Sequence, residues 1–162
     1  MPWNEYHFTD TWDIPAPCEA VWDLLARPVD YPRWWDCFRK CVALDGDEPR
    51  LGARAQITAR GWLPYTLRYT VKTTALERPR LIQFDVTGDF FVEGGKWVLT
   101  PSKSGGTQAT LEWNPRVEKP VVKQLSPLFK PLFQSNHRYM MGRGQRQIAA
   151  YLKAPGVRTG RA

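Results

Sequence analysis

Histidine is nearly missing from this chain, with His7 and His137 the only two among 162 residues, and cysteine is little commoner at three. Cys37 and Cys41 lie four apart, no second pair accompanies them, and neither histidine stands at ligand spacing. A zinc site is thereby excluded. So is a disulfide framework, and Cys18, Cys37 and Cys41 read as reduced structural thiols. No apolar run approaches the ~20 residues needed to span a bilayer. Residues 1–13 are polar and aromatic without an apolar centre, which excludes a secretory signal peptide. A soluble, cytoplasmic protein without metal or cofactor is the expectation. Ser126 and Ser135 lack a Gly-x-Ser-x-Gly setting, and no glycine-rich phosphate loop follows a strand. The faces read as inward hold almost no carboxylate, Glu93 being the one unplaced case, which argues against paired acid and base chemistry.

What the chain does have is aromatic. Aromatic residues make up 13% of it, eight of them Trp, spread along the strand-like segments rather than gathered in a tail. Large flat side chains fill a small core quickly and also make good cavity walls. The length suits one domain, residues 1–153, with 154–162 a flexible tail that adds Arg158 and Arg161 to a net charge of +7. That charge permits attraction to nucleic acid, an anionic membrane or acidic ligands without choosing among them.

Apolar residues alternate over 3–14, with Tyr6, Phe8, Trp12 and Ile14 on one face and His7, Thr9, Thr11 and Asp13 on the other. Pro17 then suits a helix start, and 18–26 read as a short helix that Pro28 stops. A second short helix or turn over 28–36 carries Trp34-Trp35. Strands follow over 37–44, 53–60, 65–73, 81–87, 88–99 and 107–113, several with one wet face, as in an antiparallel sheet. Gly94-Gly95 predicts a bulge or bend in its strand. From about residue 121 to 152 the period becomes helical, with Leu125, Leu128, Phe129, Leu132, Phe133, Met140, Ile148 and Leu152 on one stripe. Pro127 and Pro131 suggest a kink or two joined segments. Gly142 and Gly144 each cost ~1 kcal/mol in a helix interior, so close packing or space for a ligand should compensate.

The run Ala16-Pro17-Cys18-Glu19-Ala20-Val21-Trp22-Asp23-Leu24-Leu25 followed by Tyr31-Pro32-Arg33-Trp34-Trp35 resembles the opening of the START-like, polyketide cyclase/dehydrase-like superfamily (SRPBCC, Bet v 1-like). Gly88-Asp89-Phe90, and Asn136-His137 followed by Met140 and Gly144, are similar to the same group, and the likeness runs from Tyr6 to Leu152. It implies an α+β helix-grip fold: a curved antiparallel sheet of about seven strands around a long C-terminal helix, with two short helices after the first strand. Members bind lipids, sterols, hormones, quinones or polyketides, and a minority catalyse cyclisation or dehydration, so fold alone leaves function open.

The expected function is binding of a small hydrophobic or amphipathic molecule between sheet and terminal helix. The expected lining is Tyr65, Tyr69, Phe84, Trp97, Trp113, Phe129, Phe133, Asn136, His137 and Met140. Asn136 and His137 would orient a ligand oxygen; the plainer alternative is that backbone groups satisfy Asn136 and His137 packs at the helix edge. A cyclase or dehydratase acting on an oxygenated aromatic or polyketide precursor, with His137 or Tyr69 moving a proton, is the enzymatic alternative. A basic nucleic-acid-binding domain is disfavoured, because most aromatics fall on inward faces. Partners beyond the small molecule reduce to a monomer or a homodimer.

Overall fold

The computed structural model describes residues 6–64, 66–117 and 120–153, with backbone alone at 117 and 120–129. Alternation produces β1 (Phe8–Ile14), whose inward Trp12 and Ile14 are buried. Pro17 stands at the N-cap of α1 (Cys18–Leu25), which buries Ala20, Val21, Trp22 and Leu25. A 3-10 turn (Pro28–Asp30) and the one-turn α2 (Tyr31–Trp34) follow. The remaining strands are β2 (Phe38–Ala43), β3 (Arg54–Ala59), β4 (Leu67–Glu77), β5 (Leu81–Gly88), β6 (Phe90–Pro101), β7 (Thr107–Trp113) and the two-residue β8 (Arg116–Val117). Seven of them form one antiparallel sheet in the order β1-β7-β6-β5-β4-β3-β2, and β8 pairs with the start of β6. The helix-grip fold is confirmed, with β8 an addition to the seven expected strands.

The glycine pair in β6 acts as its position implies. Opposite Phe84 and Val86 stand Gly95 and Val92, so β6 carries an extra residue there, and the left-handed Gly94 (φ 70°) donates its N–H to Asp85 Oδ1 at 2.9 Å. A side chain on Gly95 would begin 2.8 Å from the Phe84 ring. Bulges of this kind increase local twist and let a sheet curl. The bulge also settles the facing of its neighbours: Phe90 is buried inside, Phe91 lies under Arg116, and Glu93 is exposed.

Inside the curl lies α3 (Pro120–Lys153), 34 residues long and unbroken at Pro127 and Pro131, so it is one helix rather than two segments. Gly144 is where it meets the core. A Cβ there would stand 2.6 Å from the Trp35 ring and 2.7 Å from Trp12, which accounts for this glycine by close approach. Trp35 also donates its indole N–H to the Met140 carbonyl at 3.0 Å. Ile148, one turn on, is fully buried. Leu132 departs from the expected stripe: it is 41% exposed, because the sheet does not reach that side of the helix. The side chains of Leu125, Leu128 and Phe129 lie outside the described residues.

Candidate functional site

The concave face of the sheet is too wide for α3 to fill. A cavity of about 190 Å³ remains between them. From the strands, Tyr69, Phe84, Trp97 and Trp113 line it; from α3, Phe133, Asn136, His137 and Met140 do. Tyr65, the other tyrosine expected in the lining, lies outside the described residues. Residues the sequence reading did not place there are Tyr31, Trp35 and Phe38 from the α2 region and Phe8 from β1. For the α2 region the signal was weak, because a one-turn helix has no periodicity to show which way its rings point, whereas Phe8 stands on the inward face that alternation marks in β1.

Polar groups at the wall are few, and each has a distinct setting. Asn136 is buried, and its Oδ1 accepts the Leu63 backbone N–H at 3.1 Å while Nδ2 faces Met140 Sδ at 3.8 Å. Gly61 lies so close that a Cβ on it would start 2.2 Å from Asn136 Oδ1. The side chain thus pins the 61–63 loop to α3. Tyr69 packs on Phe90 at 4.7 Å between centroids, and burial, with Cys41 a lesser contribution, pushes its phenol well above the usual tyrosine range. A phenol held neutral donates a hydrogen bond; it does not serve as a base.

His137 is 9% exposed and lies face to face with Phe8, ring centroids 3.7 Å apart, with Trp113 at 5.6 Å. Its Nε2 meets Asp10 Oδ2 at 2.6 Å. A carboxylate only accepts, so Nε2 donates this bond, and in the neutral ring Nδ1 is the acceptor. This pair corrects the expectation of inward faces nearly free of carboxylate. Asp10 stands between Phe8 and Trp12 in register, and the strict alternation of β1 puts it on their face. The Trp113 indole N–H is buried without an acceptor among the described residues. The three cysteines are free thiols; burial pushes Cys37 up to about 11 and Cys41 up to about 12, so both stay protonated and unreactive. Among the described residues no cluster of His, Cys, Asp and Glu could hold a metal ion, and no helix is long and apolar enough to cross a membrane.

A curved sheet gripping a long helix over an aromatic cavity defines the helix-grip class of folds, and the sequence places the chain in one family of it. It matches the family described as polyketide cyclase / dehydrase and lipid transport over residues 5–154, and it belongs to that family. No curated protein is a significant sequence match. Among solved structures it resembles a protein of Thermus thermophilus at 20% identity, covering 93% of this chain and 99% of that one with a TM-score of 0.69. The Zhui aromatase/cyclase of Streptomyces sp. R1128 is 15% identical, with 94% and 98% covered and a TM-score of 0.69. The major latex-like protein 151 of Panax ginseng is 10% identical, with 93% and 99% covered and a TM-score of 0.66. Identities this low attest the fold and not the ligand.

Proposed function

We propose that this protein binds a small hydrophobic or amphipathic molecule in the cavity between sheet and α3. The observation that carries the reading is the cavity itself, about 190 Å³ walled almost wholly by aromatic and aliphatic side chains. An apolar cavity of about 150 Å³ holds benzene, so this one suits a guest of roughly one to two fused rings. Apolar contact supplies affinity at roughly 25 cal/mol per Å² removed from water. Orientation falls to His137 Nδ1, the Tyr69 hydroxyl and Asn136 Nδ2, which faces only the weak acceptor Met140 Sδ. A guest oxygen would also supply the acceptor that the Trp113 indole lacks among the described residues. Native mass spectrometry of the purified protein, followed by denaturation and extraction, is the test. A retained apolar molecule fits the reading. An apo protein that also takes up no neutral one- or two-ring probe such as naphthalene refutes it.

An enzymatic reading, cyclisation or dehydration of an oxygenated aromatic or polyketide precursor, has one specific support: the His137–Asp10 pair. A carboxylate behind the ring stabilises imidazolium as Nδ1 takes a proton, as a general base requires. In this reading Asp10 is a positioning residue acting through His137. His137→Ala should remove turnover of an extracted candidate substrate while retaining its binding. Asp10→Asn should lower kcat and shift its pH profile with KM little changed. Turnover that survives His137→Ala overturns this assignment.

A further inference from the structure

All 16 acidic residues of the chain lie in its first 118 positions, together with 14 basic ones; the remainder holds nine Lys or Arg and no acid. The net +7 is thus −2 followed by +9. Charge segregation of this kind marks a surface for an anionic partner. Most of the positive block is α3, which contains Lys123, Lys130, Arg138, Arg143, Arg146 and Lys153. Arg143 is bound to Asp36, and Lys130 lies over the Tyr6 ring. Arg138 and Arg146 are exposed and have no ion-pair partner among the described residues.

The same helix shows apolar groups to solvent. Leu132 and Tyr139 are each 41% exposed, one turn before and one turn after Asn136. Trp62 is 45% exposed, and both its neighbours are held against Asn136, Gly61 by close approach and Leu63 by its hydrogen bond. A tryptophan, a tyrosine and a leucine therefore gather around the point where Asn136 also walls the cavity. Aromatic residues with a polar edge beside unpaired guanidinium groups match the chemistry of a bilayer interface with anionic headgroups.

We propose that the outer side of α3, with Trp62, docks on an anionic lipid surface. Single-stranded nucleic acid fits less well, since it needs a run of stacking rings along a groove, and Trp62 and Tyr139 are the two exposed large aromatic rings among the described residues. Docking here would set the cavity wall at Asn136 against a source of apolar molecules; only that consequence rests on the function proposed above.

The test is sedimentation of the full chain with vesicles of phosphatidylcholine alone, or with roughly a third phosphatidylserine, at about 0.1 M salt. Binding is expected to the anionic vesicles only, and to be lost at about 0.5 M salt. Each arginine removed should weaken it about fivefold, so Arg138→Gln with Arg146→Gln together lose about 25-fold. Trp62→Ser should weaken it further. All these variants should take up naphthalene as the unaltered protein does. Equal binding to neutral vesicles, or an Arg138→Gln, Arg146→Gln double variant that sediments unchanged, overturns the proposal. So does single-stranded DNA that strips the protein from vesicles at matched charge. An unaltered protein that binds vesicles but no probe overturns the cavity reading and leaves docking intact.

Discussion

Gly142 and Gly144 stand on the same helix and face opposite fates. At Gly144 a methyl group would collide with two rigid indoles at 2.6 and 2.7 Å, neither of them the free end of a flexible chain. Gly144→Ala should therefore cost on the order of 1–3 kcal/mol by overpacking. At Gly142 the nearest atom is the mobile Arg146 guanidinium at 3.5 Å, so Gly142→Ala should gain up to ~1 kcal/mol from helix propensity. Chemical denaturation of the two variants checks both signs. Asn136→Ala should cost about 1–3 kcal/mol, because it strands the Leu63 N–H in a buried place. Legibility at this scale was uneven. Asn136 and His137 stood out as polar residues on or beside an apolar stripe, and both reach the cavity wall. Asp10 was hidden only by the habit of reading aspartate as outward; the alternation of its own strand placed it inside. No pattern in the sequence could assign Leu63 to Asn136, since that contact joins a loop to a helix more than seventy residues away.

Between elements, the α2–β2 junction is clasped to α3 by polar contacts around Asp36. Arg143 Nε donates to Asp36 Oδ1 at 2.9 Å and Gln147 Oε1 accepts the Asp36 N–H at 3.0 Å. The Arg143 guanidinium holds the Asp36 carboxyl down at about 2, against an ordinary value near ~3.9. A depressed carboxylate stabilises the fold above its unfolded value and loses that contribution as pH falls through the folded one. The Tm difference between unaltered protein and Asp36→Asn should thus be constant above about pH 5 and close between roughly pH 4 and 2. It should be small, because the side chain is 52% exposed. Strands were the most legible elements, since one wet face writes a two-residue period into the sequence. The period fails where β4 slips register between Thr73 and Ala75, so the strand runs on to Glu77, past its expected end at residue 73. A bulge shifts the phase of alternation, and a template of period two stops matching even though the strand continues.

For the molecule as a whole, the cavity is a deficit of packing that a larger side chain can remove. Phe133→Trp or Met140→Trp should abolish uptake of naphthalene and raise Tm, by filling space that otherwise forfeits contacts. A fold that loses stability on filling would show that the space is too small or wrongly shaped. The helix-grip fold was legible from the helix and the curl; the volume left between them was not, because a filled core and a lined cavity draw on the same residues. The strand order has a consequence beyond binding. β1 is made before every other strand of the sheet, yet its partner along the whole register from Phe8↔Trp113 to Ile14↔Thr107 is β7, roughly a hundred residues later. Until β7 emerges, β1 has no neighbour in the sheet, and Asp10 waits for a histidine that follows later still. During translation the β1–β7 seam closes only once β7 is made, and α3 covers the concave face later still, so the growing chain passes through a stage in which its aromatic interior is an open gutter.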